Sequence, residues 1–167
     1  YLVLAAGGKT NFYGLESVES HAIGLKNLQD ASLIRKQILT MFEIASHQTD
    51  PELRKSLLTF VIVGGGPTGV ECAGAISELI HLVLRKDYPD IDSRDTRVLL
   101  IEMTDRLLPA MPRELSQNTL KTLQGKKVDV ALEQTVTAFD GETVTLRDGG
   151  VIPARTLIWG AGIRPAS

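Results

Sequence analysis

The chain is poor in cysteine, in aromatic residues and in long apolar runs, and neither sign of charge dominates. Its one cysteine, Cys72, excludes an intramolecular disulfide framework and any Cys-x-x-Cys redox centre within the chain. A lone cysteine is compatible with a reducing compartment. Lys plus Arg number 18 against 20 Asp plus Glu, a net charge of −2. A nucleic-acid binder usually carries a basic face, so nucleic acid is not an expected partner. No window approaches the roughly 20 apolar residues that a membrane-spanning helix needs. His21, His47 and His81 are scattered and lack metal-ligand spacing, so no metal site is expected. Neither a Gly-x-Ser-x-Gly elbow nor a Walker A lysine occurs. The chain also lacks an initiator methionine. It opens Tyr1-Leu2-Val3 in what reads as mid-strand, as though cut from something longer.

What is present is ordinary globular composition with one anomaly. The 167 residues are 43% hydrophobic and 23% charged, which suits one domain that buries roughly 70% of its extended surface. The anomaly is glycine: of 15 in the chain, four fall between Gly64 and Gly69.

The expected organisation is α/β. Leu2 to Ala5 reads as a buried strand ending at Ala6-Gly7-Gly8, and residues 9 to 26 read as loop. From Asn27 to about Ser46, Leu28, Ala31, Ile34, Ile38, Phe42 and Ala45 recur on one helical face. Asn27 is the expected N-cap, with Asp30 in the first turn. Asp50-Pro51-Glu52 reads as a second helix start. Leu57 to Val63 is a continuous apolar run of the kind buried in parallel sheets. A helix follows to about Leu84, then a polar loop over 85–96. Val98 to Ile101 is the next buried strand, ending at Glu102. A helix over 113–124 has Gly125 as its expected C′ residue. Alternation then reads as a three-stranded antiparallel meander over 127–153, with Asp140-Gly141 and Asp148-Gly149 as hairpin turns. Thr156 to Trp159 is the last strand, ending at Gly160-Ala161-Gly162. The expected fold is therefore a Rossmann-like parallel sheet with helices on both faces and an inserted three-stranded meander.

Gly64-x-Gly66-x-x-Gly69 follows a strand and opens a helix, the context that makes it a dinucleotide fingerprint. Gly64 allows the tight turn, Gly66 lets backbone approach a pyrophosphate, and Gly69 permits close packing of helix on strand. Gly65 and Pro67 complete the loop, and Thr68 adds a hydroxyl near the helix N-terminus, where anions bind. A glycine-rich turn in some other α/β protein is the alternative. The fingerprint calls for an acidic residue on the ribose hydroxyls about 20 residues on. Asp90 and Asp92 are near that count but lie in the polar loop, whereas Glu102 ends the second strand. Glu102 is the expected ribose carboxylate, and its charge favours NAD(H) over NADP(H). Arg106 could instead serve a phosphate. Glu71 reads as lying in the first turn of the same helix, either stabilising the dipole or reaching toward the nicotinamide. Gly160-Ala161-Gly162 sits at a strand's carboxyl end, where ligands of open α/β sheets bind. Cys72 reads as an inert small hydrophobe.

The run from Thr59 to Glu71 resembles the pyridine-nucleotide-binding domain of two-dinucleotide flavoproteins. Thr10-Asn11-Phe12-Tyr13-Gly14 with His21-Ala22, Leu25 to Arg35, and Leu100-Ile101-Glu102 through Leu107-Leu108-Pro109 narrow the resemblance to the type II NADH dehydrogenase family. That resemblance implies an enzyme, an NADH:quinone oxidoreductase in which NADH reduces FAD and the flavin then reduces quinone. It implies that Gly64 to Gly69 hold the pyrophosphate, Glu102 the ribose, and Gly160 to Gly162 the nicotinamide side. Glu71 maps onto a catalytic-site glutamate near the nicotinamide, and Val136 onto a residue flanking the adenine. Residues 1–26 would be a strip from the end of an FAD domain and linker, and 27–167 the NAD(H)-binding domain, with its core at 57–162. FAD, quinone and the membrane surface would be partners through parts of the parent protein, and the resemblance leaves room for a homodimer. The parent would sit peripherally on the cytoplasmic side of the membrane, and the fragment would be soluble and bind NADH without turnover. The NAD(P)H domain of a disulfide or ferredoxin reductase, or a non-catalytic NADH sensor, are the alternatives.

Overall fold

The structure, a computed structural model, describes residues 1–3, 7–92 and 94–165. Five strands form one all-parallel sheet in the order β2 (Ile23–Gly24), β9 (Thr156–Trp159), β3 (Thr59–Val63), β4 (Arg97–Ile101), β5 (Val128–Ala131). The register is continuous from Thr59↔Arg97 to Val63↔Ile101 across β3 and β4. Every residue of β3 is buried, as its unbroken apolar run requires of a central strand covered on both faces. Alternate residues face opposite layers. Phe60, Ile62, Leu100 and Ile158 enter one core, and Val61, Val63, Leu99, Ile101 and Leu157 enter the other.

The first core is roofed by α2 (Leu28–His47), α4 (Pro67–Glu78) and α6 (Arg113–Gly125). Asn27 caps α2 through a reciprocal box. Its Oδ1 accepts the Asp30 N–H at 2.9 Å, and Asp30 Oδ2 accepts the Asn27 N–H at 3.2 Å. Such a box satisfies two donors that helix geometry would otherwise orphan. Asp50 caps α3 (Pro51–Leu57) through its Oδ1, which accepts from the Glu52 and Leu53 N–H groups.

The second core is covered by a three-stranded antiparallel sheet of β6 (Val136–Phe139), β7 (Thr143–Leu146) and β8 (Val151–Pro153), together with α1 (Glu16–His21). Helices thus lie against both faces, long ones on one side and a six-residue one on the other.

Several expectations change. The alternating stretch at 128–131 is not part of the meander, which begins at Val136. It pairs in parallel with β4 as the sheet's edge strand. An edge strand with one covered face alternates just as a meander strand does. Residues 9–26 are not loop throughout: they hold β1 (Gly8–Thr10), α1 and β2. Too short to form alone, α1 is fixed by Val18, which is fully buried beneath the meander. Leu2 and Val3 are exposed and in no strand, and the rest of that expected strand, 4–5, lies outside the described residues with the first residue of its turn. The helix opened by Pro67 passes through a π-helical segment (Leu79–Leu84) and ends in the short α5 (Arg85–Asp87), three residues into the expected loop. Gly125 is not the left-handed residue after α6. That conformation falls on Lys127, with φ 62°.

Candidate functional site

Strand β3 ends where the chain must turn sharply into α4. Gly64 takes φ +111°, and a Cβ there would lie 2.9 Å from the Gly160 carbonyl carbon. A glycine is required on both counts. The Gly64 N–H donates to Ile101 O at 2.9 Å, and the Gly160 N–H donates to Val63 O at 2.8 Å. The carboxyl ends of β3, β4 and β9 are thereby tied into one platform.

The other loop glycines differ in their surroundings. A Cβ on Gly69 would collide with Gly64 O and lie 3.0 Å from the Gly64 carbonyl carbon, so its bareness lets the helix pack on the strand. A Cβ on Gly65 would lie 2.8 Å from Leu107 Cδ2 and 2.9 Å from Glu102 Cβ. A Cβ on Gly66 would meet nothing within 4 Å. Gly66 is the N-cap of α4, no side chain caps it, and Pro67 follows at N1. Its bareness therefore serves no protein contact. The helix end offers positive dipole and an open backbone surface, the features that suit an anion.

Glu102 is 7% exposed at the end of β4. Its Oε2 accepts the Gly65 N–H at 2.5 Å, and its Oε1 accepts the Thr104 N–H and hydroxyl, each at 2.8 Å. The carboxylate is thus held rigidly against the glycine loop. Arg106 donates to Pro109 O at 2.6 Å instead. Asp92 is engaged by the Arg94 guanidinium and backbone, which hold its carboxyl down at about 2. Neither lines the clefts beside the loop.

Two clefts meet over this platform. One, of 740 Å³, is lined by Gly64, Gly66, Glu102, Val136 and Gly160 to Gly162. The other, of 490 Å³, is lined by Gly66, Pro67, Thr68, Gly160, Gly162, Thr10 and Lys26. Gly66, Trp159, Gly160 and Gly162 line both. Seven of the residues singled out in the sequence line the larger cleft, Gly65 and Gly69 share the loop that floors it, and Pro67 and Thr68 continue into its neighbour. Val136 contributes little surface, being 2% exposed. Glu71 is apart: α4 starts at Pro67, so Glu71 lies beyond the first turn expected for it, and it is exposed and lines a 390 Å³ groove between α2 and α4 with Thr68, Arg35 and Cys72. Burial pushes the Cys72 thiol up to about 11.

Sequence reasoning missed Tyr13, Trp159, Lys26 and Arg147 as cleft residues. Trp159 could have been found, since it immediately precedes Gly160. Arg147 carried no signal, because only the fold of the meander brings it to the rim.

A sheet order with its switch point at β3 and β9, a glycine loop there and an acidic residue at the end of the next strand are features of the Rossmann-like α/β fold. The chain belongs to the pyridine nucleotide-disulphide oxidoreductase family, which matches residues 1–167. Its relatives within the family are more specific. It is 39% identical over 166 residues to the type II NADH:quinone oxidoreductase Ndh of Mycobacterium tuberculosis, covering 97% of this chain and 36% of that protein. It is 35% identical over 175 residues to the mitochondrial external alternative NADH-ubiquinone oxidoreductase of Yarrowia lipolytica, covering 99% of this chain and 30% of that one. Among solved structures, NDH2 from Plasmodium falciparum in complex with NADH matches with a TM-score of 0.91 at 26% identity, over 96% of this chain and 34% of that one. The chain spans about a third of the length of these relatives. Among the described residues, no helix is long and apolar enough to cross a membrane.

Proposed function

We propose that this chain is the NAD(H)-binding domain of a flavin-dependent NADH:quinone oxidoreductase. The observation that carries the reading is the bare, uncapped Gly66 at the helix end, 4 Å of open space beyond it, with a buried carboxylate fixed beside it at Glu102. The pyrophosphate lies across Gly64, Gly66 and Gly69, with Pro67 and Thr68 at the helix end. Glu102 accepts from the adenosine ribose hydroxyls through lone pairs that Gly65 and Thr104 leave free. A fixed negative charge there disfavours a 2′-phosphate, which supports NADH over NADPH. Val136 flanks the adenine. Gly160, Ala161 and Gly162 border the nicotinamide half, and Glu71 lies toward that end of α4, on the groove that shares Thr68.

In the whole protein, NADH would supply a hydride to FAD, and with one further proton from solvent the reduced flavin would pass two electrons and two protons to a quinone. This chain's residues bind and orient the nucleotide for that transfer. Residues 27–167, with a core at 57–162, make up the NAD(H) domain, and residues 1–26 are a strip linked to the FAD domain. FAD and the quinone engage other parts of a protein that works peripherally at a membrane surface, on its cytoplasmic side. The likeness to NADH:quinone oxidoreductases and to an NADH-bound structure supports this reading.

The test is an NADH titration followed through Trp159, the sole tryptophan, which lines both clefts. Saturable quenching of its emission, with no quinone reduction by the chain alone, is expected. An unchanged emission with no heat of binding would refute the assignment.

A further inference from the structure

The segment Asn11-Phe12-Tyr13-Gly14 has no part in the reading above, yet it is tied to the platform at several points. Strand β1 pairs antiparallel with β10 (Ile163–Pro165), Thr10 opposite Ile163. The Asn11 N–H donates to Gly162 O at 3.2 Å, and the Trp159 indole N–H donates to Asn11 O at 2.8 Å. Two consecutive aromatic residues then part company. Phe12 turns inward, its ring 5.9 Å from that of Trp159. Tyr13 turns outward, is 65% exposed, and lines the larger cleft.

The outward turn is built. Tyr13 adopts φ 53°, a region disfavoured for any residue with a side chain. Asn11 Oδ1 accepts the Tyr13 N–H at 3.0 Å and holds the turn. The ring rests where a side chain on Gly162 would stand: a Cβ there would collide with Tyr13 Oη and lie 3.0 Å from Cζ. A strained backbone and a bare glycine together present an aromatic face to the cleft and to solvent, not to a core. Strain of this kind concentrates where a ligand is handled.

We propose that Tyr13 is a nucleotide-binding residue whose ring packs against the ADP-ribose part of the bound dinucleotide. The inference rests on the NADH-binding reading of the cleft. The part is assigned by company. Tyr13 shares the larger cleft with Glu102 and Val136 and stands against Gly162, so its ring lies along the stretch between the two ends, while Thr10, Lys26 and Thr68 line the other cleft. An aromatic ring is suited to this, because its face stacks on a base or packs on a ribose with little loss of rotamer freedom.

Calorimetric titration of NADH and ADP-ribose into Tyr13→Phe, Tyr13→Ala and Tyr13→Gly chains tests it. Tyr13→Phe should bind within about twofold of the wild type, since the ring is kept. Tyr13→Ala should weaken both ligands by about tenfold and by the same factor. Tyr13→Gly relaxes the backbone and should melt no lower than Tyr13→Ala, yet bind as weakly. Wild-type affinity in Tyr13→Ala would overturn the inference and leave the NADH reading standing. So would recovery of binding in Tyr13→Gly, which would reduce the role to backbone strain, or a loss for NADH without a loss for ADP-ribose. A wild-type chain that binds neither ligand would overturn both readings.

Discussion

Gly65 and Glu102 are locked together at the floor of the larger cleft, the Gly65 N–H donating to Glu102 Oε2 at 2.5 Å. The carboxylate therefore holds the glycine loop in shape, and in the proposed function it also presents its charge to a ribose. The two can be separated by the choice of substitution. Glu102→Ala orphans the Gly65 and Thr104 donors, and leaving buried donors unpaired costs about 1–3 kcal/mol. Its loss of NADH binding would mix loop damage with lost ribose contact. Glu102→Gln keeps the length and one acceptor oxygen while removing the charge. It should unfold at higher denaturant than Glu102→Ala, and its preference for NADH over NADPH should fall by about tenfold. Paired titrations with both nucleotides read this directly. An unchanged preference would contradict the ribose role of Glu102.

Lys127 follows α6 in the left-handed region, φ 62°, where a side chain costs roughly 1 kcal/mol that glycine avoids. Glycine is the usual residue at this place in a helix stop. Lys127→Gly should raise the free energy of unfolding by about 0.5–1 kcal/mol. Chemical denaturation checks the sign, and a destabilised variant would show that the Lys127 side chain supplies more than the backbone loses.

The misplacement of that stop shows what the sequence could and could not reveal. Gly125 is the visible glycine, but it is the last residue of the helix, and the left-handed position two residues on carries a lysine with no local signal. The buried strands β3, β4 and β9, the capping box at Asn27 and Asp30, and the glycine loop were legible because each is set by neighbours in sequence. Helix α1 was not, because its stability comes from Val18 beneath a meander more than a hundred residues away. β5 was assigned to the wrong sheet because alternation reports one covered face and not the partner that covers it. At the site, Gly66 is legible from the spacing of the glycines, and Glu102 from its place at the end of a buried strand and not from the count. Tyr13 could not, since its place depends on Asn11 Oδ1 and on the space left by Gly162.

Cys72 lines the groove between α2 and α4, with burial raising its thiol from 9.0 to about 11. At pH 8 the folded chain should hold about 100-fold less thiolate than the unfolded one, and alkylation, which needs the thiolate, should be slower by a similar factor. The linkage has a definite sign. The folded state retains the proton longer, so the Cys72 contribution to stability is intact below pH 9 and is lost as the pH rises toward about 11. The difference in unfolding free energy between the wild type and Cys72→Ala should be flat from pH 7 to 8.5 and shrink above it. A difference that grew with pH would contradict the burial of this thiol.

The central claim is that the open backbone at Gly66 is shaped for a dinucleotide and for nothing in the protein itself. Gly69 provides the contrast. Gly69→Ala drives a Cβ into the Gly64 backbone, and overpacking of that kind costs about 1–3 kcal/mol, a fall of several degrees in Tm. Gly66→Ala meets no atom within 4 Å, and its φ of −73° suits any residue. The most direct measurement is NADH binding by Gly66→Ala, followed through Trp159 emission beside a thermal melt. The account predicts a Tm within about 2 °C of the wild type together with at least about tenfold weaker NADH. Wild-type affinity for NADH in a normally folded Gly66→Ala chain would contradict it.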